Sequence, residues 1–113
     1  MNFYDKVHEL VRCFKETEEY KKYMGLKEEI KKDSKYSKMV KDFKDKQTKS
    51  QMAYIESGKI DEMMQKDLEN TYSLIIQSET VRNFLESEIR LNVLLADMQK
   101  IIGEGLKDIV EFE

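Results

Sequence analysis

Apolar residues recur at steps of three and four from Phe3 to Val110, and no proline interrupts them anywhere in the 113 residues. A pattern that returns to one side every 3.6 residues marks an amphipathic helix, and proline is the residue that breaks one. Sandwiches, barrels and doubly wound sheets ask for frequent Gly/Pro turns, whereas this chain has only four glycines. An all-α fold follows. With a mass of 13.5 kDa and 40% hydrophobic residues the chain can furnish one modest core, so residues 1–113 read as a single helical domain.

The first stripe is Phe3, Val7, Leu10, Val11 and Phe14, with Asn2 as its cap and Asp5 near the positive end of the helix dipole. Thr17 followed by Glu18 and Glu19 repeats that start signal and opens a segment with Tyr20, Tyr23, Leu26 and Ile30 on one side. The two segments are either continuous or kinked at this point. Lys31 and Lys32 suit a helix end, after which Asp33 or Ser34 caps a third helix carrying Tyr36, Met39, Val40 and Phe43. Gln47 and Ser50 interrupt its seam, so residues 44–51 are expected to be solvated before Met52, Tyr54 and Ile55 restore the pattern. Gly58, the only glycine between Gly25 and Gly103, marks the main reversal.

A fourth helix carrying Ile60, Met63, Met64, Leu68, Tyr72, Ile75 and Ile76 is expected to end near Gln77, and Ser78 caps the last one. From Val81 onward the apolar set is too broad for a single face, so the long C-terminal helix is expected to bury much of its circumference. Gly103 and Gly105 predict a fray or bend near its end. The expected architecture is four to five helices in an antiparallel or irregular bundle. A chain of this length cannot cover a helix that is apolar nearly all round, so the expected cover is a second copy in a homodimer. Leu91, Leu95, Met98 and Ile102, stepping by four, three and four, are the residues expected at that interface or inter-helix seam.

The formal charge of −3 conceals a division. Residues 1–50 hold fourteen basic and ten acidic side chains, a net of +4, and residues 51–113 hold six and thirteen, a net of −7. Two helical segments that attract one another, within a fold or a dimer, account for such a split. The alternative is a basic face for an acidic partner. Lys31, Lys35, Lys38 and Lys41 step at helical spacing and can touch phosphates, which makes a nucleic-acid-binding module over Lys27 to Lys49 the runner-up function. Glu28, Glu29, Asp33, Asp42 and Asp45 interleave with these lysines, and arginine, the commonest reader of bases, is missing there.

Catalytic and cofactor motifs are not found. Asp5 and His8 lie at i, i+3, a spacing that can present two metal ligands, but Asp5 as a helix-start residue and His8 on an exposed flank explain them, and no metal or cofactor is expected. Cys13 follows Arg12, yet His8 lies about 140° round the helix and cannot serve it as a base, so Cys13 reads as a half-buried small residue. Glu86 and Glu88 diverge on a helix and make no catalytic dyad. The longest apolar run, Val93 to Ala96, is far short of the roughly 20 residues that span a bilayer. With no secretory signal visible and a lone cysteine, a cytoplasmic location is expected.

Asn2-Phe3-Tyr4-Asp5, Thr17-Glu18-Glu19-Tyr20, Asp33, and the stretch from Phe84-Leu85-Glu86-Ser87-Glu88-Ile89-Arg90-Leu91-Asn92 into Leu94-Leu95-Ala96-Asp97-Met98-Gln99-Lys100-Ile101-Ile102 give the segments a distinctive wording. In these the chain resembles the YlbF/YmcA family of small helical bacterial proteins, most of all its YheA-like branch. It implies a self-associating, non-enzymatic regulator or adaptor acting through an unidentified protein partner. The processes it implies are competence, sporulation, biofilm formation or RNA processing. Some members of the family form a complex that carries iron–sulfur clusters, which need several thiolates. With Cys13 alone, this chain departs from them.

Overall fold

In the computed structural model, which describes residues 2–112, every regular element among the described residues is a helix. They are α1 (Phe3–Lys15), α2 (Glu18–Lys32), α3 (Ser34–Ser57), α4 (Glu62–Ile75), α5 (Glu79–Gly105) and α6 (Lys107–Val110). Six appear where four to five were expected. The additional element is the single turn α6, cut off where α5 ends at Gly105, the place the paired glycines marked.

Polar side chains start these helices by accepting hydrogen bonds from N–H groups that have no partner within the helix. Asn2 Oδ1 accepts from Tyr4 at 2.8 Å, and Asp33 Oδ1 accepts from Lys35 and Tyr36 at 2.9 and 3.2 Å. Thr17 acts in both directions: its hydroxyl donates to the Phe14 carbonyl at 2.7 Å and accepts from the Tyr20 N–H at 3.2 Å. That pair of bonds makes α1 and α2 separate helices. Ser78 Oγ accepts from Val81 at 3.3 Å. Asp61, a cap not among those expected, starts α4 by accepting from Met63 and Met64 at 3.0 and 3.1 Å. Gly58 closes α3 in the left-handed region, φ 71°, with its N–H donating to the Tyr54 carbonyl at 2.8 Å.

The chain divides into two compact units, Leu26–Phe84 and the pair of segments Met1–Gly25 and Leu85–Glu113. In the first, α3 packs on α4. Ile30, Val40, Phe43, Ile75, Val81 and Phe84 are buried there, and burying such a side chain stabilises by about 1.5–3 kcal/mol. The Phe43 and Tyr72 rings meet at 5.6 Å between centroids. Residues 44–51 are not uniformly solvated, as had been expected. Lys46 Nζ donates to Thr71 Oγ1 at 2.9 Å and reaches carboxylate oxygens of Asp67 at 3.4 Å and Asp42 at 3.5 Å. Thr71 and Asp67 lie on α4 and Asp42 on α3, so the ammonium ties the two helices together.

The second unit holds α1, the opening of α2, α5 from Leu85 and α6, and of its described residues only Leu85 and Ser87 are buried. Within a single copy the C-terminal helix is covered only in part. Ile89 is 59%, Val93 56% and Ile101 71% exposed, because two neighbouring helical segments cover one side of α5 and leave the others open.

Two glycines separate conformational from propensity effects. Gly58→Ala has room for its methyl group, but the left-handed backbone charges it about 1–2 kcal/mol, so urea denaturation should show that loss. Gly103→Ala, also in open space but with helical backbone, should raise stability by about 0.5–1 kcal/mol.

Candidate functional site

The apolar stripe of α1 meets α5 along only part of its width. Leu10, Cys13 and Phe14 face Leu94, Met98 and Ile101 across an apolar cleft of about 370 Å³, with Asp97 at its edge. On the remainder of the stripe Phe3, Tyr4, Val7 and Val11 stay exposed, as do Ile101, Ile102 and Leu106 at the far end of α5. Of the residues expected at an interface or seam, Leu91, Leu95 and Met98 are half-buried and Ile102 is exposed. Met98 and Ile102 line the cleft, which Leu91 and Leu95 do not. Their spacing does not point to the uncovered edge of α1, although Tyr4, Val7 and Val11 follow the same three- and four-residue rule.

A second cleft, of about 540 Å³, lies in the other unit near the reversal between α3 and α4. Tyr54, Ile55, Ile60 and Leu68 line it together with Gln47, Gln51 and Gln65, so apolar surface alternates with amide groups able to donate and accept.

The lysines fall on two elements. Lys31 ends α2, while Lys35, Lys38 and Lys41 ride the exposed side of α3 after the Asp33 break. At about 100° per residue, Asp42 and Asp45 occupy the same side of α3 as Lys38, and both are exposed. Their carboxylates lower the positive potential that phosphate contact needs.

Residues with reactive chemistry remain scattered. Asp5 and His8 are both exposed on α1, and no group of three or more His, Cys, Asp or Glu side chains suited to a metal ion occurs among the described residues. Cys13 is exposed at the cleft and not half-buried as expected, since α5 approaches it from one side only. Tyr23 has a phenol pushed above its ordinary value of 10.0, by burial first and by the Glu88 carboxylate second. No helix among the described residues is long and apolar enough to cross a membrane.

The described residues form a small all-helical protein with exposed apolar helix faces. The family model described as "Control of competence regulator ComK, YlbF/YmcA" matches residues 3–107. The chain belongs to the YlbF/YmcA family. A UPF0342 protein of Desulfitobacterium hafniense is 36% identical over 110 residues, covering 97% of this chain and 89% of its own. A UPF0342 protein of Symbiobacterium thermophilum is 35% identical over 103 residues, covering 91% and 92%. The solved structure of YheA from Bacillus subtilis superposes with a TM-score of 0.66 at 23% identity, covering 96% of this chain and 99% of that one, which makes the fold YheA-like. The family is described by a process it controls and not by a reaction.

Tyr23 gives a pH test. A phenol held above its ordinary value keeps its proton more tightly folded than unfolded, so its contribution is complete below pH 10.0 and lost as pH rises through the raised value. Urea unfolding followed from pH 8 upward should show stability falling beyond about pH 10, with a shallower fall in Tyr23→Phe.

Proposed function

We propose that this protein is a non-enzymatic, cytoplasmic regulator or adaptor that works as a helix-mediated homodimer and through contact with another protein, in the control of competence or a related process. The observation that carries the reading is the exposed apolar surface shared by α1 and the C-terminal half of α5, where Phe3, Tyr4, Val7, Val11, Ile101 and Ile102 all stay accessible. Isolated exposed apolar residues are ordinary, whereas rows of them on consecutive turns of two facing helices are a contact surface. The family description in terms of competence control supports a regulatory role. Leu91, Leu95, Met98 and Ile102 are the proposed packing residues. Helices without a reactive constellation suit a molecule that holds partners together.

Light scattering and a genetic test examine the two halves of the proposal. At micromolar concentration the protein should weigh twice the 13.5 kDa chain, and Met98→Asp should shift it toward the single-chain mass while retaining its helical circular dichroism. Deletion of the gene should alter transcripts under competence control, with restoration by the wild type and not by Met98→Asp. A clean 13.5 kDa species with no dimer removes the assembly reading, and unchanged transcripts remove the regulatory one.

A further inference from the structure

The apolar stripes of α1 and α5, which cover each other only in part within one copy, differ in the charge of their borders. On α1 the stripe runs through Phe3, Val7, Leu10 and Phe14, and at about 100° per residue its two edges carry Lys6 and Lys15, while Asp5, Glu9 and Glu16 fall on the far side. On the C-terminal half of α5 the stripe runs through Leu94, Met98 and Ile101, and at about 100° per residue one edge carries Asp97 and Glu104 and the other the uncharged Leu95 and Ile102. One stripe is bordered by base and the other by acid. Among the described residues Lys6 bonds only to its helical neighbour Glu9, at 2.9 Å on an exposed surface, which is worth little. Lys15, Asp97 and Glu104 have no ion pair among the described residues, although Asp97 lines an apolar cleft where a partnered carboxylate would be far better placed.

Resting on the self-association proposed above, we infer that the second copy docks crosswise, each copy laying its base-bordered α1 against the acid-bordered C-terminal half of the other's α5. A two-fold pairing makes that contact twice, since what α1 of one copy offers, α5 of the other requires. The size is sufficient. Eight side chains on this face (Phe3, Tyr4, Val7, Leu10, Val11, Ile101, Ile102 and Leu106) stay 41% to 73% exposed. At roughly 60–120 Å² of apolar surface for each such side chain, they offer roughly 250–550 Å². With polar atoms making up about two-fifths of an interface, the patch reaches roughly 400–900 Å², against the roughly 800 Å² per partner of a stable complex.

Two charge-reversed proteins test the pairing. One carries Lys6→Glu with Lys15→Glu and presents acid on both stripes; the other carries Asp97→Lys with Glu104→Lys and presents base on both. All four positions are exposed, and circular dichroism checks that the helices persist. In low salt each variant alone should self-associate at least about tenfold more weakly than the wild type, and an equimolar mixture should regain wild-type affinity as a mixed dimer, a recovery that fades as salt screens the borders. The wild type supplies an independent reading: Cys13, which lines the cleft, should be alkylated several-fold more slowly above the dissociation constant than below it. If the wild type dimerises but the variants associate as tightly as it does, if mixing restores nothing, or if Cys13 is equally reactive at both concentrations, crosswise docking is overturned while self-association stands. A wild type that remains at 13.5 kDa overturns self-association itself.

Discussion

Where a helix stops decides which of its residues point inward, and in a chain without proline that decision falls to a few polar side chains and one glycine. Asn2, Thr17, Asp33, Asp61 and Ser78 each satisfy orphan N–H groups at a helix start, and Gly58 takes the left-handed turn that an L residue resists. Thr17 shows how much hangs on one group. Its hydroxyl accepts from Tyr20 while donating to Phe14, whose ring meets that of Tyr20 edge-on at 6.1 Å. A continuous helix there would carry the α1 stripe onward at a different angle and away from Leu94, Met98 and Ile101.

The two units spend these helices differently. In residues 26–84 the long α3 and α4 pack together and bury Val40, Phe43 and Ile75, with Lys46 tied to Asp67 and Thr71 beside them. That unit has the beginnings of an ordinary core. In the other, few helical segments lie beside α5, and only Leu85 and Ser87 pass out of solvent among the described residues. Several exposed side chains there, Val7 and Ile101 among them, would each gain about 1 kcal/mol or more on being covered. That unspent stabilisation is the physical basis for reading the surface as a place of contact.

Much of this was legible in the sequence, and the remainder was hidden for identifiable reasons. Cap residues act on N–H groups two or three positions away, so Asn2, Thr17, Asp33 and Ser78 could be read locally. Asp61 could have been found the same way, from its place beside Glu62 at the head of the Met63 stripe. Lys46 could not, because its partners lie 21 and 25 residues further along and nothing in the local pattern distinguishes it from the solvated lysines of α3. The breadth of apolar residues on α5 states only what that helix could bury. Coverage depends on how many neighbours reach it, and that number belongs to the tertiary structure. The family likeness carried by the segment around Phe84 to Ile102 was sound for the same local reason as the caps, since it rests on the order of residues and not on what covers them.

An apolar surface by itself is an indiscriminate partner, and a small protein that kept one open would risk non-specific association. Charged borders supply discrimination, because a wrong partner or a slipped register sets like charges together or leaves a carboxylate against apolar surface without a counter-charge. Asp97 is placed to do this: it stands at the edge of the cleft and not on the solvated far side of α5, where Lys100 projects. Its apolar neighbours reward any helix that fills the cleft, while the carboxylate rewards only one that brings a cation to that edge. A second copy brings Lys6 or Lys15 on the border of α1, and a helix bordered by acid would be repelled. Affinity on such a face comes from the shared apolar stripe, and the choice of partner comes from the few charges beside it.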